Sequence, residues 1–334
     1  MKAVNAVDAI YIEELSKSFG QVCALDELSM RVEAGTVCGF IGPNGAGKTT
    51  TLRILLGLLP KDEGTVRLLG QDVVFGRELD LRSRLSYLPQ DPVFPERHTG
   101  LEVMELVAGL YAMDPRRARE RANALLEQFH LHGARKRSVG TYSRGMKQRL
   151  GLATCFLPEP DLLVLDEPVS ALDPEGRVEV FALLRQLKGR ATVLFSSHIL
   201  EDVERVSDEL VMIKAGHNIV EGPMEDILNR YASERIRIRV RLEDLEQAGR
   251  IVAGLPWVIG VSRDGEERNA EPGTSGLRGG NGQGEGLLYV DVKPDAVAVA
   301  LDVILVSLVQ QGVKVREYGR SRTDLETVFL RLSV

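Results

Sequence analysis

Over residues 1–230, short apolar runs alternate with stretches whose apolar residues recur at helical spacing. Runs at Ala9–Glu14, Leu28–Glu33 and Thr36–Ile41 predict strands. The last enters a glycine-rich loop, after which Lys48–Leu58 predicts an amphipathic helix. Gly64–Leu69 and Arg84–Leu88 predict further strands. From about Leu101 to Leu157 the period turns helical, with segments beginning after Thr99, Asp114 and Tyr142. Thr99 and Asp114 suit the N-cap, where a side-chain oxygen accepts from an unpaired first-turn N–H, and Pro115 suits the first helical position. Leu162–Asp166 and Thr192–Ser196 are short apolar runs fit for buried parallel strands, separated by a helix at Pro174–Leu187. Glu209–Lys214 and Asn218–Glu221 read as a hairpin around Ala215-Gly216.

After Tyr231 the pattern changes. Ile236, Ile238, Val240 and Leu242 alternate with arginines, predicting a strand with one buried face. A helix (Asp244–Leu255), two strands (Trp257–Ser262 and Leu287–Val292), a helix (Asp295–Gln311), a strand (Val313–Glu317) and a closing helix (Thr323–Leu332) follow. The order βαββαβ is the ferredoxin-like arrangement. Residues 263–286 are rich in Gly, Glu, Asn and Ser and nearly free of apolar residues, which predicts a disordered loop. The expected organisation is one domain over 1–230, with a helical subdomain at about 91–157, and a small α+β domain over 231–334.

With 44% apolar and 27% charged residues in 334, the chain has the balance of a globular protein with a sizeable core. Its net charge of −6 gives no support to nucleic-acid binding, which needs a basic face. Arg116, Arg117, Arg119 and Arg121 lie close to acids and read as a solvated helix face. Cys23, Cys38 and Cys155 show no metal-type spacing; a reducing compartment is expected, with all three packed as small apolar residues. The start MKAVNAVDAI lacks the apolar run of a signal peptide, and no stretch has the roughly 18 uninterrupted apolar residues of a membrane span.

The chemistry lies in ordered motifs. Gly42-Pro43-Asn44-Gly45-Ala46-Gly47-Lys48-Thr49-Thr50 contains G-x-x-x-x-G-K-[ST] between a strand and a helix. Glycines let successive N–H groups turn inward on the phosphates of a nucleotide, and the helix start adds positive potential. Lys48 reaches the β- and γ-phosphates, and Thr49 offers its hydroxyl to Mg²⁺. Downstream, Leu162–Leu165 carry Asp166 to the C-terminal edge of a buried strand, placed to hold Mg²⁺ through water. Glu167, one step on, is placed to accept a proton from the attacking water. Alone, an Asp-Glu pair is more often a cap or loop; behind a phosphate loop the catalytic reading prevails.

Over Ala9 to about Arg230 these residues resemble the ABC-type ATPases, the nucleotide-binding subunits of membrane transporters. Tyr142-Ser143-Arg144-Gly145-Met146 stands where that family has Leu-Ser-Gly-Gly-Gln, with Ser143 and Gly145 kept and the other three changed. The resemblance implies that Ser143 and Gly145 grip the γ-phosphate of ATP held by the opposite subunit. It makes Gln90 the Q-loop glutamine, which helps coordinate Mg²⁺ and senses the membrane partner. Asp173 becomes the D-loop residue that crosses to the other subunit, and His198 the switch histidine on the γ-phosphate. Phe19 becomes the aromatic that stacks on adenine, with a packed core phenylalanine as the competing reading.

The implied fold is an α/β P-loop NTPase of ABC type with antiparallel β and α-helical subdomains, plus the small C-terminal α+β domain. The implied activity is ATP hydrolysis. Two copies, or this chain and a paired ATPase subunit, close around two ATPs and drive a separate transmembrane permease. The Gln90 loop and the helical region form the contact with it. The ending Asp324–Leu330 resembles subunits of the ABC-2 export type, among them drug, polysaccharide and sodium exporters. That implies export, and a peripheral place on the cytoplasmic side of the cell membrane. A dimer-stabilising or regulatory role for 235–334 and a purely structural one both remain open. Related ATPase heads also serve machines acting on DNA or ribosomes, usually with a long coiled-coil insertion, zinc cysteines or a second cassette. Here one cassette stands with no CxxC pair and no heptad run.

Overall fold

The computed structural model of the chain describes residues 8–76, 81, 83–231, 235–263, 284–293, 296–321 and 324–333. Two compact units emerge: Met1–Ile227 with Leu325–Val334, and Leu228–Asp324.

In the first unit, β1 (Asp8–Phe19) and β2 (Val22–Glu33) form a long antiparallel hairpin. The pattern predicts an end at Glu14, but β1 runs on to Phe19. Register shifts between Ile12 and Leu15 and between Leu15 and Lys17, with Glu14 at φ 49°, mark bulges that break the two-residue alternation. β3 (Val37–Ile41) leads into α1 (Lys48–Leu55), which stops short of the predicted Leu58 where Gly57 adopts φ 68°. β4 (Glu63–Leu68) and β5 (Gln71–Asp72) complete a four-stranded sheet in the order β2-β1-β4-β5.

β6 (Leu85–Leu88) opens the second sheet and is followed by the helices α2 (Gly100–Leu110), α3 (Pro115–Gln128) and α4 (Arg144–Phe156), which pack on one another. Their starts follow local chemistry. Thr99 accepts from Glu102 N (3.2 Å) while Glu102 accepts from Thr99 N (2.7 Å), and Asp114 accepts from Arg117 N (2.9 Å). Each arginine of the α3 cluster meets an acid: Arg116 Glu120, Arg117 and Arg121 Glu159, and Arg119 Glu105.

β7 (Leu162–Leu165), α5 (Pro174–Gln186), β8 (Thr192–Ser197), α6 (Leu200–Val206), β9 (Glu209–Lys214) and β10 (His217–Pro223) follow, and the continuous part of this unit ends at Ile227, within α7 (Met224–Arg230). The second sheet has the order β10-β9-β3-β8-β7-β6, parallel except for β10. Every residue of β3 and β7 is buried, so both read as unbroken apolar runs. One core joins Ile10, Ile12 and Met30 through Leu52 and Leu55 of α1 to Phe40, Val164, Leu194 and Val211. Each such side chain contributes about 1.5–3 kcal/mol of transfer free energy. Cys38 and Cys155 are packed inside, but Cys23 is exposed, because it stands at the start of β2 beside the hairpin turn. No helix among the described residues is long and apolar enough to cross a membrane.

The second unit holds β11 (Arg235–Arg241), α8 (Leu245–Ala253), β12 (Val258–Arg263), β13 (Glu285–Val292), α9 (Val297–Gln310) and β14 (Val315–Arg320). Its antiparallel sheet has the order β12-β13-β11-β14. Ile236, Ile238 and Val240 face the helices with Leu288, Val290, Ala248, Val252, Ala300 and Ile304. The intervening arginines pair across strands, Arg235 with Asp291 (2.7 Å), Arg239 with Glu317 (3.1 Å), and Arg237 with Glu317.

Three expectations change. Leu242, read as part of the buried face, is exposed, because β11 ends at Arg241 and a 3₁₀ turn follows. The closing helix α10 (Leu325–Ser333), read as part of the second domain, groups with the first unit instead: Leu325 is buried there, its N–H donating to Glu204 of α6 at 2.7 Å. Of the loop expected at 263–286, Arg263 and Glu285-Gly286 lie in strands, and 264–283 fall outside the described residues.

Glu209 opens β9 beside Cys38 and accepts from Glu33 N (3.3 Å). Burial pushes its carboxyl up to about 7, assisted by the neighbouring Glu33 and Asp208. The folded protein therefore holds this proton more tightly than the unfolded chain. The stability it contributes is complete below 4.5, the carboxyl's ordinary value, and is lost as pH rises through about 7. Glu209→Gln is expected to flatten that fall in denaturant titrations across this window and to exceed the parent in stability above it.

Candidate active site

The loop from β3 to α1 needs glycine for space. A Cβ on Gly42 would lie 2.3 Å from Ile213 O, and one on Gly47 2.6 Å from the Leu25 side chain, with Gly47 already at φ 106°. No side chain caps α1 and its first turn holds no acid, so the positive end of the helix is left uncancelled toward the loop. Pro43, Asn44 and Gly45 are exposed, Ala46 is buried, and Thr49 and Thr50 are half-buried. Lys48 is 8% exposed, and its Nζ donates to Gly42 O (2.6 Å) and Pro43 O (3.2 Å). Burial lowers the ammonium pKa, while Glu167 and Asp166 pull it back up.

Asp166 follows β7, and its N–H continues the ladder to Leu88 O (2.8 Å). Its carboxylate is 3% exposed, and both oxygens are bonded. Ser196 Oγ donates to Oδ1 (2.6 Å) and Thr49 Oγ1 to Oδ2 (3.2 Å). Glu167 then adopts φ 49°, a left-handed conformation that costs a non-glycine residue about 1–3 kcal/mol. Two contacts hold it there. Glu167 N donates to Ser196 Oγ (2.8 Å), and Gln148 Nε2 donates to the carbonyls of Pro168 (3.0 Å) and Glu167 (3.4 Å). His198 Nδ1 lies 2.8 and 3.0 Å from the two Glu167 carboxylate oxygens. A carboxylate only accepts, so Nδ1 carries the proton in this contact.

Lys48, Thr49, Asp166, Glu167 and His198 thus gather around one sheet edge. The other expected residues stand elsewhere. Gln90 is exposed two residues beyond β6. Phe19 is 49% exposed at the end of β1, with Lys17 Nζ 5.5 Å from its ring centroid, so the core alternative does not hold. Ser143 caps α4 by accepting from Met146 N (3.2 Å). A Cβ on Gly145 would come within 3.0 Å of Ala171 O, so the start of α4 lies against the segment leading to Asp173. Asp173 caps α5, accepting from Gly176 N (3.2 Å). Tyr142 is buried, and its hydroxyl donates to Ala134 O (2.8 Å).

Two residues escaped the sequence reading. Ser196 joins Asp166 to the Glu167 backbone, and Gln148, 1% exposed, ties α4 to the same segment. A serine inside an apolar strand and a glutamine on the inner face of a helix were the available signals, since a buried polar group requires a partner.

Thr49 and Asp166 offer two hard oxygen donors, and among the described residues no group of three or more His, Cys, Asp or Glu is placed to hold a metal. That donor set fits Mg²⁺, which keeps waters and binds through one or two protein oxygens together with phosphates.

The parallel sheet, the phosphate loop and the acidic pair at the strand edge define a P-loop nucleoside triphosphatase. The family described as ABC transporter matches residues 25–170. The chain is 37% identical over 327 residues to the daunorubicin resistance ATP-binding protein DrrA3 of Streptomyces coeruleorubidus, covering 97% of this chain and 96% of that one. It is 41% identical over 235 residues to the uncharacterized ABC transporter ATP-binding protein YxlF of Bacillus subtilis, covering 70% and 77%. A solved ATP-binding subunit of an ABC transporter superposes with TM-score 0.62 at 30% identity, over 67% of this chain and 93% of its own. The chain belongs to the ABC transporter family, as an ATP-binding and ATP-hydrolysing subunit.

Ser196→Ala would leave a buried carboxylate oxygen and the Glu167 N–H without their shared partner. A loss of about 1–3 kcal/mol in urea unfolding is expected, with ATP turnover falling further than ATP affinity.

Proposed function

We propose that two copies of this cassette, or this chain and a paired ATPase subunit, close around two ATPs and power export through a separate transmembrane permease on the cytoplasmic face of the membrane. The observation that carries this reading is the bonded chain Thr49–Asp166–Ser196–Glu167–His198 beside Lys48. It sets a cation, two hydroxyls, a general-base candidate and a second proton carrier at one strand edge. The name of the daunorubicin resistance relative, similar along nearly the whole chain, supports a drug-export setting.

In this mechanism the loop Gly42–Thr50 holds the triphosphate, Lys48 leaves its carbonyl partners for the β- and γ-oxygens, and Phe19 stacks on the adenine. Mg²⁺ held by Thr49 and Asp166, with Gln90, would neutralise charge on the phosphates. Glu167 orients the attacking water and takes its proton. Its two carboxylate oxygens carry about four lone pairs, and the single His198 N–H leaves some of them free to accept from that water. The same contact constrains His198. With Nδ1–H committed to Glu167, a neutral ring has only an acceptor at Nε2; donation to the γ-phosphate requires either the imidazolium or release from Glu167. Ser143 and Gly145 of the facing copy supply the last donors, and Asp173 crosses at the same junction. The exposed cap at Ser143 supports this reading.

Glu167→Gln is expected to keep ATP binding, to lose about 100-fold or more in turnover, and to form a two-copy species in Mg-ATP by light scattering. A single copy under those conditions counts against the clamp. Lys48→Ala is expected to weaken ATP binding by about 10- to 100-fold, the scale of a charge-assisted hydrogen bond. Unchanged affinity by calorimetry would mean that the loop does not hold the phosphates.

A further inference from the structure

Arg144 opens α4 between the two residues that this reading places on a facing γ-phosphate, Ser143 and Gly145. Its side chain is 66% exposed, and Nε and Nη2 both donate to Oδ1 of Asp91, at 3.1 and 2.8 Å. Asp91 follows Gln90 directly and is itself 69% exposed. With Pro92, Tyr142 and Lys147 the pair lines a surface hollow of about 240 Å³. So open an ion pair adds little to stability. A planar guanidinium, by contrast, is the side chain best matched to phosphate oxygens.

We propose that Arg144 is a phosphate ligand acting across the pair, held in reserve by Asp91. On closure it exchanges the single carboxylate oxygen for the γ-phosphate of ATP bound by a second copy of this chain, and it spreads the charge that develops there during hydrolysis. This rests on the paired-cassette reading above. The exchange also frees Asp91, so the Gln90 loop is released when, and only when, the facing nucleotide arrives. The departure from the family's usual signature at this position thereby adds a donor to the Ser143 and Gly145 set.

Both side chains are exposed, so variants are expected to fold. Arg144→Gln and Asp91→Asn break the same ion pair, but the proposal gives them opposite consequences. In the Glu167→Gln background, Arg144→Gln is expected to weaken Mg-ATP-dependent association at least about tenfold, with ATP affinity of the single copy unchanged and Arg144→Lys partly restoring association. Asp91→Asn is expected to tighten association by up to about fivefold, the scale of an exposed pair. With Glu167 intact, turnover should follow the same order. Equal weakening by both variants would make the pair a strut between α4 and the Gln90 loop and overturn the proposal. So would an Arg144→Gln variant that associates like its parent. Failure of the paired reading itself is separate, since Glu167→Gln alone would then stay single in Mg-ATP.

Discussion

A carboxylate buried at the edge of a parallel sheet sets the terms for everything around it. Asp166 is removed from water almost completely, and an uncompensated buried charge costs several kcal/mol. The compensation comes from two hydroxyls on two different elements, Thr49 in the first turn of α1 and Ser196 in β8. The phosphate loop, the strand carrying the acids and the strand leading to His198 are therefore fixed relative to one another by one side chain. Ser196 extends the constraint, because the oxygen that donates to Asp166 also accepts from Glu167 N and so helps hold Glu167 in its left-handed turn. Packing in the β3–β7–β8 core brings these elements near; the bonds to Asp166 set their register at the scale of chemistry.

The other charged groups of the site are held by neighbours in the same way. Lys48 sits in a partly desolvated pocket with its hydrogen bonds made to carbonyls, and the nearby Glu167 and Asp166 carboxylates offset part of its charge before any phosphate reaches it. Glu167 is similarly engaged by His198. Lys48 is thus satisfied by carbonyls that a triphosphate would have to displace, whereas Glu167 can accept from a water beside the His198 contact. The site is assembled, and its partners are exchangeable.

Much of this was legible in the sequence because it depends on local chemistry. Strands buried on both faces, such as Val37–Ile41 and Leu162–Leu165, are unbroken apolar runs, and Thr99, Asp114 and Ser143 announce helix starts with a side-chain oxygen. The glycine loop is legible because only glycine fits beside Ile213 O and Leu25. What the sequence hid depends on contacts between distant segments. The bulges in β1 erase its alternation, the docking of α10 on α6 is decided by a partner more than a hundred residues away, and Leu242 loses its burial to a turn. Ser196 and Gln148 are unremarkable in isolation and acquire their roles only when Asp166 and Pro168 are brought to them.

Gln148 couples two parts of the site mechanically. It lies on α4 five residues beyond the capping Ser143, about 7.5 Å along the axis, and its amide is bonded to the backbone that carries Glu167. A helix is stiff over that distance, so a displacement of the Ser143 end cannot occur without straining or moving the Glu167 segment. Because that segment already adopts a conformation costly for glutamate, small shifts in its supports change how the carboxylate is presented. One short helix thus joins the surface that would meet a second nucleotide to the side chain that would act on the first, with hydrogen bonds at both ends as the linkage.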